Sequence, residues 1–231
     1  MLTSKDVSFE EHIENIVQSS KIMSGLLLRN FETRDPDLMI KMFNAYIKSK
    51  IEYCSLIWNP WKKEDIDKLE RIQKNYTSKI KGMENLNYHE RLIKLNLYSL
   101  ERRRERFMII YGWQQLEEKR ENVLRLAAST SRRDRRMIST KIPNMANGKR
   151  LSRVEKRQIY NCPARKVQRL FNCIPGSIRN LTGVTTDTFK GHLDKWLKTV
   201  PDQPRGGGYS GRVAAESNCI QHQVAMMRTR R

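Results

Sequence analysis

Apolar residues recur three and four positions apart through the first 118 residues, and no stretch there alternates apolar and polar residues as a half-buried strand does. The stripe over residues 13–27 is one example, and a second stripe begins after Asp35. Asp35 can cap a helix and Pro36 suits its first turn, while Gly82 is typical of a residue just past a helix end. The sequence therefore predicts an all-α fold, in which residues 1–118 form a bundle of antiparallel helices with short connections.

Each expected helix has one apolar face that should turn inward. A first helix, capped by Ser8, would bury a stripe made of Ile13, Ile16, Val17, Ser20, Ser24 and Leu27. The second helix is expected to bury a stripe made of Met39, Met42, Phe43, Tyr46, Lys50 and Cys54, with Ile47 and Ile51 beside it. A third helix over residues 63–81 would bury Ile66, Leu69, Gln73, Tyr76 and Ile80. Two further helices are expected over residues 88–95 and 99–118.

The helical pattern weakens after residue 118. Residues 119–164 carry charge runs around a Pro- and Gly-containing loop and are interpreted as a basic flexible linker. Helical spacing returns over residues 165–199, which predicts a C-terminal segment of one or two short helices. Residues 200–231 contain three consecutive glycines and closing arginines, a composition typical of a disordered tail.

Positive charge is unevenly placed along the chain, whose 231 residues carry a formal net charge of +20. Residues 1–100 hold 16 Lys and Arg against 14 Asp and Glu, whereas residues 101–231 hold 29 against 11. Such an excess favours a polyanionic partner, with nucleic acid first and an anionic membrane surface second. Because contacts to the phosphate backbone carry no sequence information, we expect a nucleic-acid duplex to be bound independently of sequence.

Two basic clusters supply the candidate phosphate-binding residues. The first opens the helix expected over residues 99–118 and comprises Arg102, Arg103, Arg104 and Arg106. Since the helix dipole disfavours cations at a helix start, we infer that a bound anion accounts for their position. Replacing Arg102 and Arg103 by Ala is then expected to weaken duplex binding and slightly raise helix stability. The second cluster lies in the basic linker and comprises Arg132, Arg133, Arg135, Arg136, Lys149 and Arg150.

A simpler alternative for these clusters is a solvated basic face whose aliphatic stems cover apolar surface.

No arrangement of residues predicts catalysis or a bound cofactor. Asp65 and Asp67 are two positions apart on a helix, so they point to different faces and cannot share a metal ion. Cys219 and His222 have the spacing of two zinc ligands, which could be completed by Cys162 and Cys173. The alternative is four scattered cysteines and an incidental histidine. The sequence therefore assigns no catalytic residue, no metal ligand and no cofactor.

The four cysteines lie far apart and form no C-x-x-C pair, which favours a reducing compartment. No uncharged stretch approaches the roughly 18 residues that a membrane span requires. The first residues carry acids and lack the apolar core of a signal peptide. We therefore expect an intracellular protein of the nucleus or cytoplasm that does not bind a membrane.

Several uncommon short blocks follow one another in a distinctive order, namely Arg29–Phe31, Thr33–Pro36, Ile51–Ser55, Trp58–Pro60 and Asp67–Gln73. Tyr88–Leu92 and the run from Leu97 to Arg103 continue the series. With them, about residues 6–112 resemble the segment that follows the polymerase palm in reverse transcriptases of non-LTR retrotransposons, the jockey-like and related LINE-type elements. Residues 165–197 resemble the closing segment of those enzymes more loosely.

The resemblance implies the thumb and post-palm region of such an enzyme, which grips the template–primer duplex. The family's aromatic-Ala-Asp-Asp turn and its other palm aspartate have no counterpart here, so no catalytic residue is carried over. We expect a thumb-like helical bundle that binds RNA or DNA duplexes and has no activity of its own. Two alternatives stay open: RNA-directed DNA polymerase activity by descent from the full-length element, and a helical protein-interaction module that docks through Tyr53, Trp58 and Trp61.

Overall fold

The computed structural model describes residues 9–117, 145–146, 149–203 and 217–229. These residues are mostly helical, which confirms the predicted all-α fold. The chain divides into two compact units, one formed by Met1–Arg104 with Asp202–Ser210 and the other by Glu105–Pro201 with Gly211–Arg231. The division falls inside a helix, whereas the sequence analysis drew its first domain boundary at residue 118.

The first unit contains the helices expected from the sequence, with one long helix broken into shorter pieces. In chain order they are α1 (Glu10–Asn30), α2 (Pro36–Met42), a π-helical segment (Phe43–Lys48), α3 (Ser49–Glu52), α4 (Ser55–Trp58), α5 (Lys63–Thr77) and α6 (Tyr88–Lys94). The next helix, α7 (Leu100–Glu117), begins in this unit.

Local sequence signals account for several of the helix ends. The Asp35 side chain accepts the N–H of Leu38 at 3.2 Å and caps α2, as predicted. Helix α5 ends at Thr77 with Ser78 as its C-cap, four residues before the predicted end, and Gly82 lies in the turn that follows with a φ of 76°, which glycine adopts without strain. Helix α1 begins at Glu10 without a side-chain cap, and the predicted cap Ser8 lies outside the described residues.

The core of the first unit forms where α1 packs against α5, α3 and the π-helical segment. Its fully buried side chains include Phe43 and Tyr76, whose rings are 5.1 Å apart at an interplanar angle of 38°. The other buried members of this core are Ile13, Val17, Leu27, Met39, Ile47, Ile51, Trp58, Leu69, Ile72, Ile80, Met83 and Leu100.

The inward face of the second predicted helix is only partly as expected. Its buried residues lie four positions apart throughout, at Met39, Phe43, Ile47 and Ile51. Tyr46, Lys50 and Cys54 are exposed, so their predicted inward orientation is wrong. The cause is the π-helical segment, whose hydrogen bonds join residues five apart and place more residues in each turn than an α-helix does. Residues four positions apart therefore stay on the same face of this helical stretch.

The second unit consists of the rest of α7, a short hairpin and further helices. The hairpin pairs β1 (Met145–Ala146) with β2 (Lys149–Arg150) in antiparallel register. The helices are α8 (Arg153–Asn161), α9 (Pro163–Cys173), α10 (Gly176–Arg179), α11 (Thr186–Leu197) and α12 (Ile220–Thr229).

Aromatic stacking and a close helix contact organise the core of the second unit. The Trp113 ring stacks on Phe189 with centroids 4.6 Å apart, and its indole N–H donates to the Leu181 carbonyl at 2.9 Å. Gly112 lies so close to α9 that a Cβ on it would be 2.8 Å from Cγ1 of Val167. The absence of a side chain at Gly112 therefore allows α7 and α9 to approach.

The structure differs from the sequence analysis in two segments beyond residue 118. Helix α8 lies in the segment interpreted as a flexible linker, and its start has a reciprocal capping box between Ser152 and Glu155. Helix α12 lies in the segment interpreted as a disordered tail. Its first N–H, on Ile220, donates to the buried Glu105 carboxylate at 2.7 Å. Within these two segments, residues 119–144, 147–148, 204–216 and 230–231 lie outside the described residues.

Candidate nucleic-acid interface

The N-terminus of α7 is the place where the sequence predicted a bound phosphate. The Glu70 carboxylate of α5 accepts the N–H of Leu100 at 3.1 Å and the N–H of Glu101 at 3.3 Å. It also accepts the Tyr88 hydroxyl at 2.6 Å. A carboxylate from elsewhere in the first unit thus binds the helix N-terminus in the way that an external anion would.

A second carboxylate binds the same helix start. Asp202 accepts the backbone N–H of Ser99 at 2.9 Å and its hydroxyl at 2.7 Å. The Ser99 hydroxyl oxygen in turn accepts the N–H of Arg102 at 3.1 Å, as an N-cap residue does. The two acids together bind the N–H groups of residues 99–101, which the sequence analysis had assigned to a phosphate.

The acid–phenol pair at this site is fully enclosed. Burial raises the pKa of the Glu70 carboxyl, while the Tyr88 hydrogen bond and the Arg104 charge act in the opposite direction. Burial and then the Glu70 charge raise the pKa of the Tyr88 phenol well above its ordinary value. The Tyr88 hydroxyl therefore remains a hydrogen-bond donor at neutral pH.

Two of the four arginines predicted to bind phosphate are enclosed in the first unit. Arg102 is 0% exposed and Arg104 is 2% exposed. The Arg104 charge favours the ionised form of Glu70. Neither side chain is therefore accessible to an external phosphate. The positive charge of Arg104 acts on Glu70, which caps the helix from inside the protein.

The other two arginines are held in ion pairs, each within its own unit. The Arg103 guanidinium binds the Glu52 carboxylate through Nε, and through Nη2 at 3.0 Å. Arg106 binds Asp194 of α11 through Nε and Nη2 at 2.5 and 2.7 Å. Both guanidinium groups thus make the two-pronged contact that a phosphate would otherwise receive. The exposed fractions that remain are 24% for Arg103 and 16% for Arg106.

The basic linker is described only near its end. Arg132, Arg133, Arg135 and Arg136 lie outside the described residues, and Lys149 and Arg150 form strand β2. The Arg150 side chain is exposed, as is that of Arg153 in the first turn of α8. These two arginines are thus accessible to a polyanion.

A group of exposed aromatic residues in the first unit was not part of the predicted phosphate site. Tyr53 is 75% exposed, Tyr46 49% and Trp61 43%. Trp58 is fully buried, so of the three residues weighed as a docking patch only Tyr53 and Trp61 reach the surface. The sequence signal for this exposure is the charged residue Lys50. It lies four positions after Tyr46 and three before Tyr53, so it predicts that the helix face shared by these residues is turned to solvent.

In the part of the chain that the structure describes, no three His, Cys, Asp or Glu side chains come close enough together to hold a metal ion. Within those same limits, no helix is both long enough and apolar enough to span a bilayer.

Comparison with known proteins gives a limited result. No family model matches the chain, and no solved structure matches it. It is similar to an uncharacterized protein of Caenorhabditis elegans, with 29% identity over 101 residues that make up 42% of this chain. The matched region spans 51% of that relative, so the chain covers about half of the relative's length.

Proposed function

We propose that the chain is a nucleic-acid-binding module, derived from a non-LTR retrotransposon reverse transcriptase, that grips a duplex through its phosphates and is not itself catalytic. The observation that carries the proposal is the excess of 29 Lys and Arg over 11 Asp and Glu in residues 101–231. Charge of this density binds the phosphate backbone by releasing condensed counterions. The resemblance of the first 112 residues to a thumb supports a template–primer duplex as the partner.

The structure favours the exposed cations as the phosphate contacts. Arg102 and Arg104 are buried and therefore not accessible to a phosphate, and the Arg104 charge acts on the Glu70 carboxylate. Arg150 ends β2 and Arg153 begins α8, and both side chains are exposed. Arg103 and Arg106 have a minor role, because their guanidinium groups are paired with carboxylates and only 24% and 16% of their side chains are exposed.

The salt dependence of duplex binding tests this proposal. We expect the affinity of the full chain for an RNA–DNA duplex to fall steeply between 50 and 200 mM salt. In a plot of log affinity against log salt concentration, the slope should be about 0.9 for each phosphate contacted. Replacing Arg150 and Arg153 by Ala should reduce that slope by about 2, roughly 1 for each lost contact. Lys190→Ala is the matched control, because its ammonium is already bound by Asp187 at 2.9 Å. Affinity that is equal at low and high salt would contradict the proposal.

A primer-extension assay tests the alternative that the chain has RNA-directed DNA polymerase activity by descent from the full-length element. Primer extension on an RNA template by the full chain should give no product, because the sequence contains no counterpart of the family's catalytic aspartates. Extension that depends on Mg²⁺ and on this chain would replace the proposal with the enzymatic alternative.

The exposure of Tyr53 and Trp61 favours a second candidate, a helical protein-interaction module. In that case the chain would bind a partner protein with little dependence on salt, and duplex binding would be weak at all salt concentrations.

A further inference from the structure

One face of the first unit combines tyrosines with lysines. Tyr46, Lys50 and Tyr53 follow one another on the solvent side of the π-helical segment, α3 and the turn after it. Spacings of four and three residues place such side chains along one helix face. We call these three residues the tyrosine face. The opposite side of the same helical stretch bears the buried residues Phe43, Ile47 and Ile51.

The backbone beneath the Tyr53 ring is fixed on both sides. The N–H of Tyr53 donates to the Ser49 carbonyl at 3.1 Å, and its carbonyl accepts the indole N–H of buried Trp58 at 2.7 Å. The next residue, Cys54, has a φ of 52°, a left-handed conformation that strains any residue other than glycine. The chain therefore presents the Tyr53 ring, 75% exposed, from a backbone that is already held in place. Such preorganisation lowers the entropy lost on binding.

The surroundings of the tyrosine face are positively charged. From residue 38 to residue 63 the sequence has Lys41, Lys48, Lys50, Lys62 and Lys63, and the sole acid is Glu52. Glu52 is itself held by the Arg103 guanidinium. Burial, followed by the Arg103 charge, lowers the pKa of Lys48, and the Glu52 charge offsets these effects only in part. Lys62 is paired with Glu10, whereas Lys50 is exposed between the two tyrosines in the sequence and is accessible to a phosphate.

We propose that the tyrosine face binds single-stranded nucleic acid, with a base stacked on the Tyr53 ring and the adjacent phosphates near Lys50. This inference rests on the proposed nucleic-acid-binding function and adds a single-strand site to it. Every base has a π-face, so stacking on an exposed aromatic ring beside lysines gives affinity without sequence preference. That combination fits a strand of bases and phosphates better than an apolar protein surface, which would leave the lysines desolvated and without counter-charges.

The test compares ligands that differ only in their bases. The full chain is titrated with a 20-nucleotide oligo-dT, with an abasic strand of the same length and phosphate number, and with an RNA–DNA duplex. We expect oligo-dT to bind more tightly than the abasic strand, and Tyr53→Ala to weaken oligo-dT binding on the order of tenfold. Binding of the abasic strand and of the duplex should not change. Tyr53→Phe should restore oligo-dT binding, because the ring and not the hydroxyl provides the stacking surface.

Ile93→Ala is the matched control, since Ile93 is 66% exposed in the same unit and is not aromatic. It should leave all three affinities unchanged. Equal binding of oligo-dT and abasic strand, or equal oligo-dT binding by Tyr53→Ala and the parent, would overturn the single-strand site while steep salt dependence on the duplex still supports the proposed function. Failure to bind any of the three ligands removes both proposals. Sedimentation that shows a dimer dissolved by Tyr53→Ala would assign the face to a second copy of the chain and overturn this inference.

Discussion

The Glu70 carboxylate accepts the N–H of Leu100 at 3.1 Å, so a residue in the middle of α5 caps a helix that begins thirty positions later. The helix dipole and the neighbouring arginines predict an anion at this helix start. That anion is part of the protein. A carboxylate side chain therefore stabilises the positive end of the helix dipole in place of a phosphate.

Removing this carboxylate should destabilise the first unit. Glu70→Ala leaves the N–H groups of Leu100 and Glu101 and the Tyr88 hydroxyl without their acceptor in a buried site. We expect a loss of about 2 to 4 kcal/mol in the free energy of unfolding, measured by urea denaturation. Glu64→Ala is the control, because Glu64 is exposed on the same helix, and its effect should stay within about 0.5 kcal/mol. Equal effects of the two substitutions would show that the cap contributes nothing.

Replacing Arg102 should lower stability, contrary to the slight gain expected from the sequence. Arg102 is fully buried, so Arg102→Ala removes its packed aliphatic stem and its polar contacts together. A decrease of about 2 to 4 kcal/mol in the free energy of unfolding is expected. Arg71→Ala, at an exposed position of α5, should change stability by less than about 0.5 kcal/mol. A more stable Arg102→Ala variant would restore the earlier interpretation of these arginines as ligand-binding residues.

The effect of an alanine at position 112 on the free energy of unfolding depends on the neighbouring Val167 side chain. Alanine at position 112 gains about 1 kcal/mol in helix propensity, but its Cβ meets the stiff Val167 side chain at 2.8 Å. Overpacking of this kind costs about 1 to 3 kcal/mol, so Gly112→Ala should be destabilising on balance. In a Val167→Ala background the same substitution should become stabilising. A double-mutant cycle followed by thermal unfolding measures this coupling.

Gly191→Ala provides the reference for that cycle. Gly191 lies in α11 with no atom within 4 Å of where a Cβ would be. Its replacement should therefore stabilise the protein by about 0.5 to 1 kcal/mol. If Gly112→Ala stabilises to the same extent in the unchanged background, the close approach of α7 and α9 does not constrain that position.

Stability should fall with pH above 10 because of a buried phenol. Tyr76 donates its hydroxyl to the Met39 carbonyl at 3.0 Å, and burial raises its pKa from 10.0 to about 12. Between these values the unfolded chain loses the proton while the folded chain keeps it, so the free energy of unfolding decreases as pH rises. The contribution is complete below pH 10 and falls by on the order of 2 kcal/mol by pH 12.

Urea denaturation of the parent and of Tyr76→Phe between pH 8 and 11.5 measures this contribution. At pH 8 the variant should be less stable by about 1 kcal/mol, because it lacks the hydrogen bond to Met39. Above pH 10 its stability should decline less steeply than that of the parent. If the free energies of unfolding of the parent and of Tyr76→Phe decline equally with pH, then Tyr76 does not contribute to alkaline unfolding.

Much of the fold could be predicted because local signals agree with it. The helical spacing located α1, α5, α6 and α7, and Asp35 marked the start of α2. The π-helical segment was missed because it changes the number of residues per turn without any special residue, and Tyr46 was consequently assigned to the wrong side. The start of α8 was within reach of the sequence, since Ser152 and Glu155 form an ordinary capping box inside a charge run.

The candidate site was harder to predict because its determinants are remote in sequence. Nothing adjacent to Arg102 indicates that Glu70 and Asp202 lie at the same helix start. Helix α12 was missed for a similar reason, since the acceptor for its first N–H comes from Glu105, 115 positions earlier. Composition alone assigned that region to a disordered tail, and composition does not report such long-range hydrogen bonds.

The contacts of Asp202 with Ser99 and of Ile220 with Glu105 set an order of events during synthesis. A ribosome releases the amino-terminal end first, and nascent domains tend to fold as they emerge. Here the contacts of Ser99 with Asp202 cannot form until residue 202 has left the exit tunnel. The contact of the buried Glu105 with Ile220 cannot form until residue 220 has left it. A copy of the gene whose reading frame stops before codon 202 would therefore yield a chain in which both units lack a carboxy-terminal piece. Premature stop codons late in the frame should accordingly be as damaging to folding as substitutions in the core.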